Sequence, residues 1–146
     1  MRKPAIIVDL DGTLADIRVR LKHLENGKKD WKKFHATIET DDLHEWCREI
    51  VNRMAKDHMI IIVSGRIDTL KVQTEEWLNQ HDVKWDHLFM RPHDDHRPDQ
   101  VLKLEIFETY IKPEFKVLFV LDDRTKVVNM WRDQGLVCLQ CAPGDF

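Results

Sequence analysis

Reactive side chains gather at three places where a short apolar run ends. Residues 5–8 lead into Asp9-Leu10-Asp11-Gly12-Thr13, residues 59–63 into Ser64-Gly65-Arg66, and residues 116–121 into Asp122-Asp123. Asp9 and Asp11 are two residues apart on an extended segment, so their side chains leave the same face. Gly12 then lets the backbone turn away and keeps both carboxylates open. Of such a pair, one carboxylate can attack phosphorus while the other supplies and removes protons. Asp9 and Asp122 together can hold a hard divalent cation through oxygen ligands, which suits Mg²⁺. The ion would offset repulsion between an attacking carboxylate and a phosphate, and would polarise the phosphoryl oxygens. Ser64 and nearby amides can donate to those oxygens, and Lys103, early in a helical stretch, is the candidate to neutralise the transferring group.

The elements that must position these residues follow from the apolar pattern. Runs 5–8, 59–63, 87–90, 116–121 and 136–139 are short and uninterrupted, as in parallel strands covered on both faces. Between them lie helical patterns. One is capped by Asp41 or Asp42, with Leu43, Trp46, Ile50, Val51 and Met54 as its apolar face. Others span 67–79, 98–110 and 125–134, with Gly135 ending the last. This alternation predicts an α/β fold, a Rossmann-like three-layer sandwich with a mostly parallel sheet. In such sheets ligands bind beyond the carboxyl ends of the strands, where the reactive residues fall. Residues 14–40 interrupt the alternation and read as a small, helical cap insertion in a single domain spanning 1–146.

The 146 residues, 42% apolar and 34% charged, have an ordinary globular composition. No apolar run approaches the ~18 residues of a membrane span, and the N-terminus has no cleavage-site pattern. The expectation is a cytoplasmic protein away from membranes. Three cysteines fit a reducing compartment without a disulfide framework. Cys138 and Cys141 form a C-x-x-C after a strand and read as structural thiols, and His93-Asp94-Asp95-His96 reads as a polar loop, because a zinc site needs four converging ligands. The net charge of −3 hides an asymmetry: residues 18–35 hold seven Lys or Arg against Glu25 and Asp30. With Trp31 and Phe34 interleaved, that stretch is either a solvated face or a surface for a phosphate backbone and base. Trp31 is the stacking candidate, whereas Trp46, Trp77 and Trp131 fall at core spacing.

The ordered set Asp9/Asp11/Gly12/Thr13, Ser64, Lys103 and Asp122/Asp123 resembles the haloacid dehalogenase (HAD) phosphotransferase superfamily. The resemblance implies Asp9 as nucleophile and Asp11 as general acid/base. It also implies Mg²⁺ held by the Asp9 side chain, the Asp11 main-chain carbonyl and Asp122, with Asp123 in support. Further matches are Ser64-Gly65-Arg66, Arg91 with Asp95, Arg97, Asp99 and Lys103, and the stretch from Asp122-Asp123-Arg124 to Gly144-Asp145-Phe146. They are similar to the 3′-phosphatase domain of the T-even phage polynucleotide kinase-phosphatases.

That similarity implies removal of a 3′-phosphate from a polynucleotide end, with Thr13, Ser64, Gly65, Arg66, Arg91 and Lys103 toward phosphate or substrate. Arg66 and Arg91 are open between phosphate contacts and ion pairs with Asp95 or Asp99; Asp99 is expected to orient Lys103. No G-x-x-x-x-G-K-[ST] occurs, so 5′-phosphorylation is not expected of this chain, and whether a separate kinase or ligase partner exists stays open. Strand preference, DNA versus RNA, and homo-oligomer formation stay open. The alternatives are a phosphatase of free nucleotides or another small metabolite, and a non-catalytic phosphate-binding module.

Overall fold

The computed structural model describes residues 1–22 and 38–146. Strands β1 (Lys3–Val8), β4 (Met59–Ile67), β5 (His87–Arg91), β6 (Phe115–Asp122) and β7 (Cys138–Gln140) form one parallel sheet in the order β5-β4-β1-β6-β7. Side chains alternate across it. Ala5, Ile7, Ile61 and Val63 pack beneath helices α4 (Asp99–Ile106) and α5 (Thr125–Asp133). Ile6, Val8, Ile60 and Ile62 pack on the other face with Val51 of α2 (Glu45–Met54) and Trp77 and Leu78 of α3 (Lys71–Gln80). The result is the three-layer α/β sandwich that the alternating pattern predicts.

Register fixes the site. Val8 lies opposite Ile62 on one side and Leu121 on the other, so the three carboxyl ends finish level and Asp9 comes beside Asp122. β4 runs on through Ser64, Gly65 and Arg66 to Ile67, longer than its apolar run, and its pairing with β5 shifts between Val63 and Ile67. β6 carries an extra residue against β1, between the pairs Ala5/Val117 and Ile7/Val120.

Both ends of the 14–40 segment lie among the described residues. Strand β2 (Ala15–Asp16) pairs antiparallel with β3 (Asp42–Leu43), and the short helix α1 (Arg18–Leu21) and a 3₁₀ turn at Ile38–Thr40 lie between them. Trp31, Phe34 and the lysines at 28, 29, 32 and 33 fall outside the described residues.

Two expectations for α2 are corrected. Its N-cap is His44, with no side-chain cap bond, and Asp41 is buried in the site instead. Its buried stripe is Cys47 and Val51, whereas Trp46 is 43% exposed and Ile50 lies at the surface. Arg48 and Asn52 explain the rotation: they donate to the main-chain oxygens of His81 and Asp82 beyond α3 (3.0 and 2.8 Å), which swings Trp46 and Ile50 away. The helix from Pro98 ends at Ile106 and continues as a π turn, Phe107–Ile111, closed by the Lys112 amide on the Phe107 oxygen (2.8 Å).

Candidate active site

Asp9 follows β1, its amide on the Leu121 oxygen at 2.9 Å. Gly12 holds φ at +84°, and a Cβ there would run into the Asp123 carboxylate, so only glycine turns the chain here without strain. That turn brings Thr13 back, and its hydroxyl donates to Asp9 Oδ2 at 3.1 Å. Asp9 Oδ1 accepts from Lys103 Nζ at 2.8 Å. The same ammonium, from α4, reaches Asp122 Oδ2 at 3.1 Å. Asp122 is held further by the Trp131 indole N–H (3.2 Å) and by the Asp123 amide (2.8 Å). Carboxylate oxygens of Asp9, Asp122 and Asp123 lie within 4.8 Å of one another, all buried.

The second half of the site is a ring of two acids and two arginines. Arg66 grips Asp11 through Nε (3.1 Å to each oxygen) and Nη2 (2.6 Å), and Arg20 adds Nη2 at 2.5 Å. Arg20 Nε also donates to both oxygens of Asp41 (2.7 and 2.9 Å), which Arg66 Nη2 reaches at 3.5 Å. Trp77 donates to the Asp41 main-chain oxygen at 3.0 Å, and Thr74 takes the remaining arm of Arg66 at 3.1 Å.

Charge divides the two halves. Asp11 and Asp41 face two guanidiniums and are balanced. Burial pushes the Asp11 carboxyl up, but Arg66 and Arg20 outweigh it and hold its pKa at about 2. When ionised, Asp9, Asp122 and Asp123 face the single ammonium of Lys103 with an excess of two negative charges among the described residues. Burial, then Asp122, drives the Asp9 pKa well above the ordinary carboxylate range against the pull of Lys103, and burial raises Asp123 too. Lys103 is 2% exposed. Burial works against its charge, but Asp122 and Asp9 outweigh that and lift its pKa. An excess of two charges on three convergent oxygens fits a hard divalent cation in both donor type and charge.

A cavity of about 430 Å³ opens on this floor, lined by Asp9, Asp11, Lys103, Asp122 and Asp123 and flanked by Gly65, Arg66, Arg91 and Asp99. Thr13 and Ser64 lie behind it; the Ser64 hydroxyl accepts from the Arg66 amide at 3.1 Å. Asp99 departs from expectation. Its carboxylate takes Arg91 Nη2 (2.5 Å) and Arg124 Nη1 (3.0 Å) rather than Lys103. Arg91 spends its other donors on the main-chain oxygens of Gly65, Asp95 and Arg97 (3.0, 3.0 and 2.6 Å), so it braces the loop beside the cavity.

Arg20, Asp41, Arg124 and Phe146 were not legible as site residues. Arg20 is buried, unlike the lysines around it, but composition counts all of them alike. All three cysteines are free thiols. Cys141 touches the Thr13 hydroxyl (3.6 Å) and the Asp122 main-chain oxygen (3.5 Å), and burial pushes its pKa up to about 11. His93 pairs with Asp68 at 3.5 Å, and its tetrad joins no metal-competent cluster among the described residues. No described helix is long and apolar enough to cross a membrane.

The architecture is that of a HAD-like fold. A haloacid dehalogenase-like hydrolase from Streptococcus pneumoniae superimposes with a TM-score of 0.62 at 14% identity, covering 94% of this chain and 84% of that one. Residues 3–146 match the family described as polynucleotide kinase PNKP phosphatase domain, and the chain belongs to that family. A solved structure of a Pnkp1/Rnl/Hen1 complex contains a chain with a TM-score of 0.86 and 33% identity, over 99% of this chain and 48% of that one. A protein of Autographa californica nuclear polyhedrosis virus, named as a bifunctional polynucleotide kinase/RNA ligase, is 33% identical over 132 residues, 88% of this chain. The chain spans 18% of that viral protein and about half of the complex's chain.

Proposed function

We propose that this chain is a Mg²⁺-dependent phosphatase that removes the 3′-phosphate from nucleic-acid ends through an aspartyl-phosphate on Asp9. Three buried carboxylates opposed by one ammonium, beside a cavity lined by Arg66, Arg91 and Arg124, carry this reading. Its family membership and the polynucleotide enzymes it resembles supply the substrate class.

Asp9, whose carboxylate is held by Thr13 and Lys103 at the cavity floor, is the nucleophile. An Asp9 Oδ–P bond forms, the P–O3′ bond breaks, and Asp11 gives its proton to the departing 3′-oxygen. As the arginines hold it, Asp11 is only an acceptor. A phosphate that draws Arg66 onto its oxygens loosens that grip and raises the proton affinity of Asp11. Asp11 then takes a proton from water, which attacks the acyl phosphate and frees Asp9. Lys103 neutralises the nucleophile's neighbours throughout. Mg²⁺ held by Asp9, Asp122 and the Asp11 main-chain carbonyl, with Asp123 beside it, would offset the negative excess and polarise the phosphoryl oxygens. The described part of the 14–40 segment brings Ile17 and Leu21 to the cavity, as a cap would, and the kinase and ligase names of its relatives make such enzymes the expected partners.

Phosphate release from 3′-phosphorylated oligonucleotides, beside free 3′- and 5′-mononucleotides, with and without Mg²⁺, tests this. Release from 3′-ends that stops on chelation is expected. Release from mononucleotides alone would show a nucleotidase instead.

A further inference from the structure

Phe146 lines the same cavity as Asp9 and Lys103, yet remains 59% exposed. Its position is fixed from several sides. Arg124 Nε donates to its main-chain oxygen at 2.8 Å, and the guanidinium carbon stands 5.2 Å from the ring centroid. The other end of that guanidinium is tied to Asp99 at 3.0 Å. Just upstream, Gly144 presses so closely on the Asp123 main chain that a Cβ would collide. The Gly144 oxygen accepts from the Thr125 amide (2.9 Å), and the Asp145 carboxylate accepts from the Thr125 hydroxyl (3.2 Å). The ring is therefore stapled to the start of α5, directly after Asp122 and Asp123. Ile17, Leu21, Ile67 and Val127 complete the apolar lining.

We propose that Phe146, held by Arg124, is the platform on which the base of the substrate's terminal nucleoside stacks while its phosphate lies at Asp9. This names a specificity residue for the phosphatase reading above and rests on it. A small phosphorylated metabolite would bring hydroxyls to an apolar wall; a nucleobase brings a flat face. An aromatic ring paired with a guanidinium suits any base, since every base has a π face, so all four terminal bases are accepted alike. The cavity volume, about 430 Å³, lies within the ~300–1,000 Å³ range of small-ligand sites.

Equilibrium binding to an Asp9→Asn variant in Mg²⁺ separates the platform from the chemistry. A nucleoside 3′-monophosphate is expected to bind at least about tenfold tighter than an abasic sugar 3′-phosphate. Adding Phe146→Ala should erase that advantage, Phe146→Tyr should restore it, and inorganic phosphate should bind all three alike, which also reports an intact floor. An advantage that survives Phe146→Ala, or none to begin with, overturns the platform. Turnover by the unaltered protein of oligonucleotides with a normal or abasic 3′-phosphorylated terminus completes the test. Base stacking without release from any 3′-end keeps the platform and removes the phosphatase reading. Release equal from normal and abasic termini keeps the phosphatase and removes the platform.

Discussion

Asp9 carries opposing demands: a nucleophile must be ionised, yet burial and Asp122 favour its protonated form. Replacing it tests both. Asp9→Asn should lower turnover by at least ~10⁴-fold. It should leave the thermal midpoint without Mg²⁺ unchanged or higher, because it deletes one of three crowded anions; steady-state rates and melting curves check the two halves. The raised carboxyls also set a pH dependence. A carboxyl whose folded pKa exceeds its unfolded value costs stability once pH rises past the unfolded value of ~3.9, because the folded state then holds the extra proton. A cation favours the ionised form, so the rise in melting temperature caused by Mg²⁺ should grow as pH rises above the ordinary carboxylate range. A Mg²⁺ effect independent of pH would contradict the assignment. Asp11 works the other way: its stabilising contribution is complete above ~3.9 and is lost as pH falls through about 2. The acidic residues and Lys103 were legible because each stands beside an apolar run or in a fixed motif. Arg20 and Asp41 were not, since their meaning lies in a pairing 21 residues apart that no local spacing announces.

The turn after β1 and helix α2 show what element-level physics adds. Gly12→Ala should cost at least about 1–2 kcal/mol in urea unfolding for its positive φ alone. It should also weaken Mg²⁺ binding, because the new methyl displaces Asp123. The tryptophans separate cleanly: Trp77→Ala should cost about 3–5 kcal/mol, and Trp46→Ala should fall within about 0.5 kcal/mol. Helical periodicity found α2 and placed Val51, Leu43 and Met54 on the core side, but wrongly turned Trp46 and Ile50 inward as well. Polar bonds from Arg48 and Asn52 decide the rotation, and periodicity does not weigh them. Strand positions were legible because parallel strands are buried on both faces and read as unbroken apolar runs. The extension of β4 through Ser64 and Arg66 was hidden for the same reason, since polar residues of the site end the run before the strand ends.

At the scale of the whole chain, the parallel direction of the sheet followed from alternation, its strand order did not, and level strand ends turned scattered motifs into one site. A polymer end held through several phosphates should bind with steep salt dependence, log affinity falling by about 0.7 per contact per log unit of salt for single strands. A mononucleotide should show far less, and KM values across a salt series measure the difference. One feature of the interior makes the two halves separately observable. The Trp131 indole bonds to Asp122, and the Trp77 indole bonds to the main chain of Asp41. Each half thus carries its own intrinsic fluorophore: in single-tryptophan variants, Trp131 emission should answer to cation titration and Trp77 emission to phosphate, so the order of assembly can be followed optically without a label.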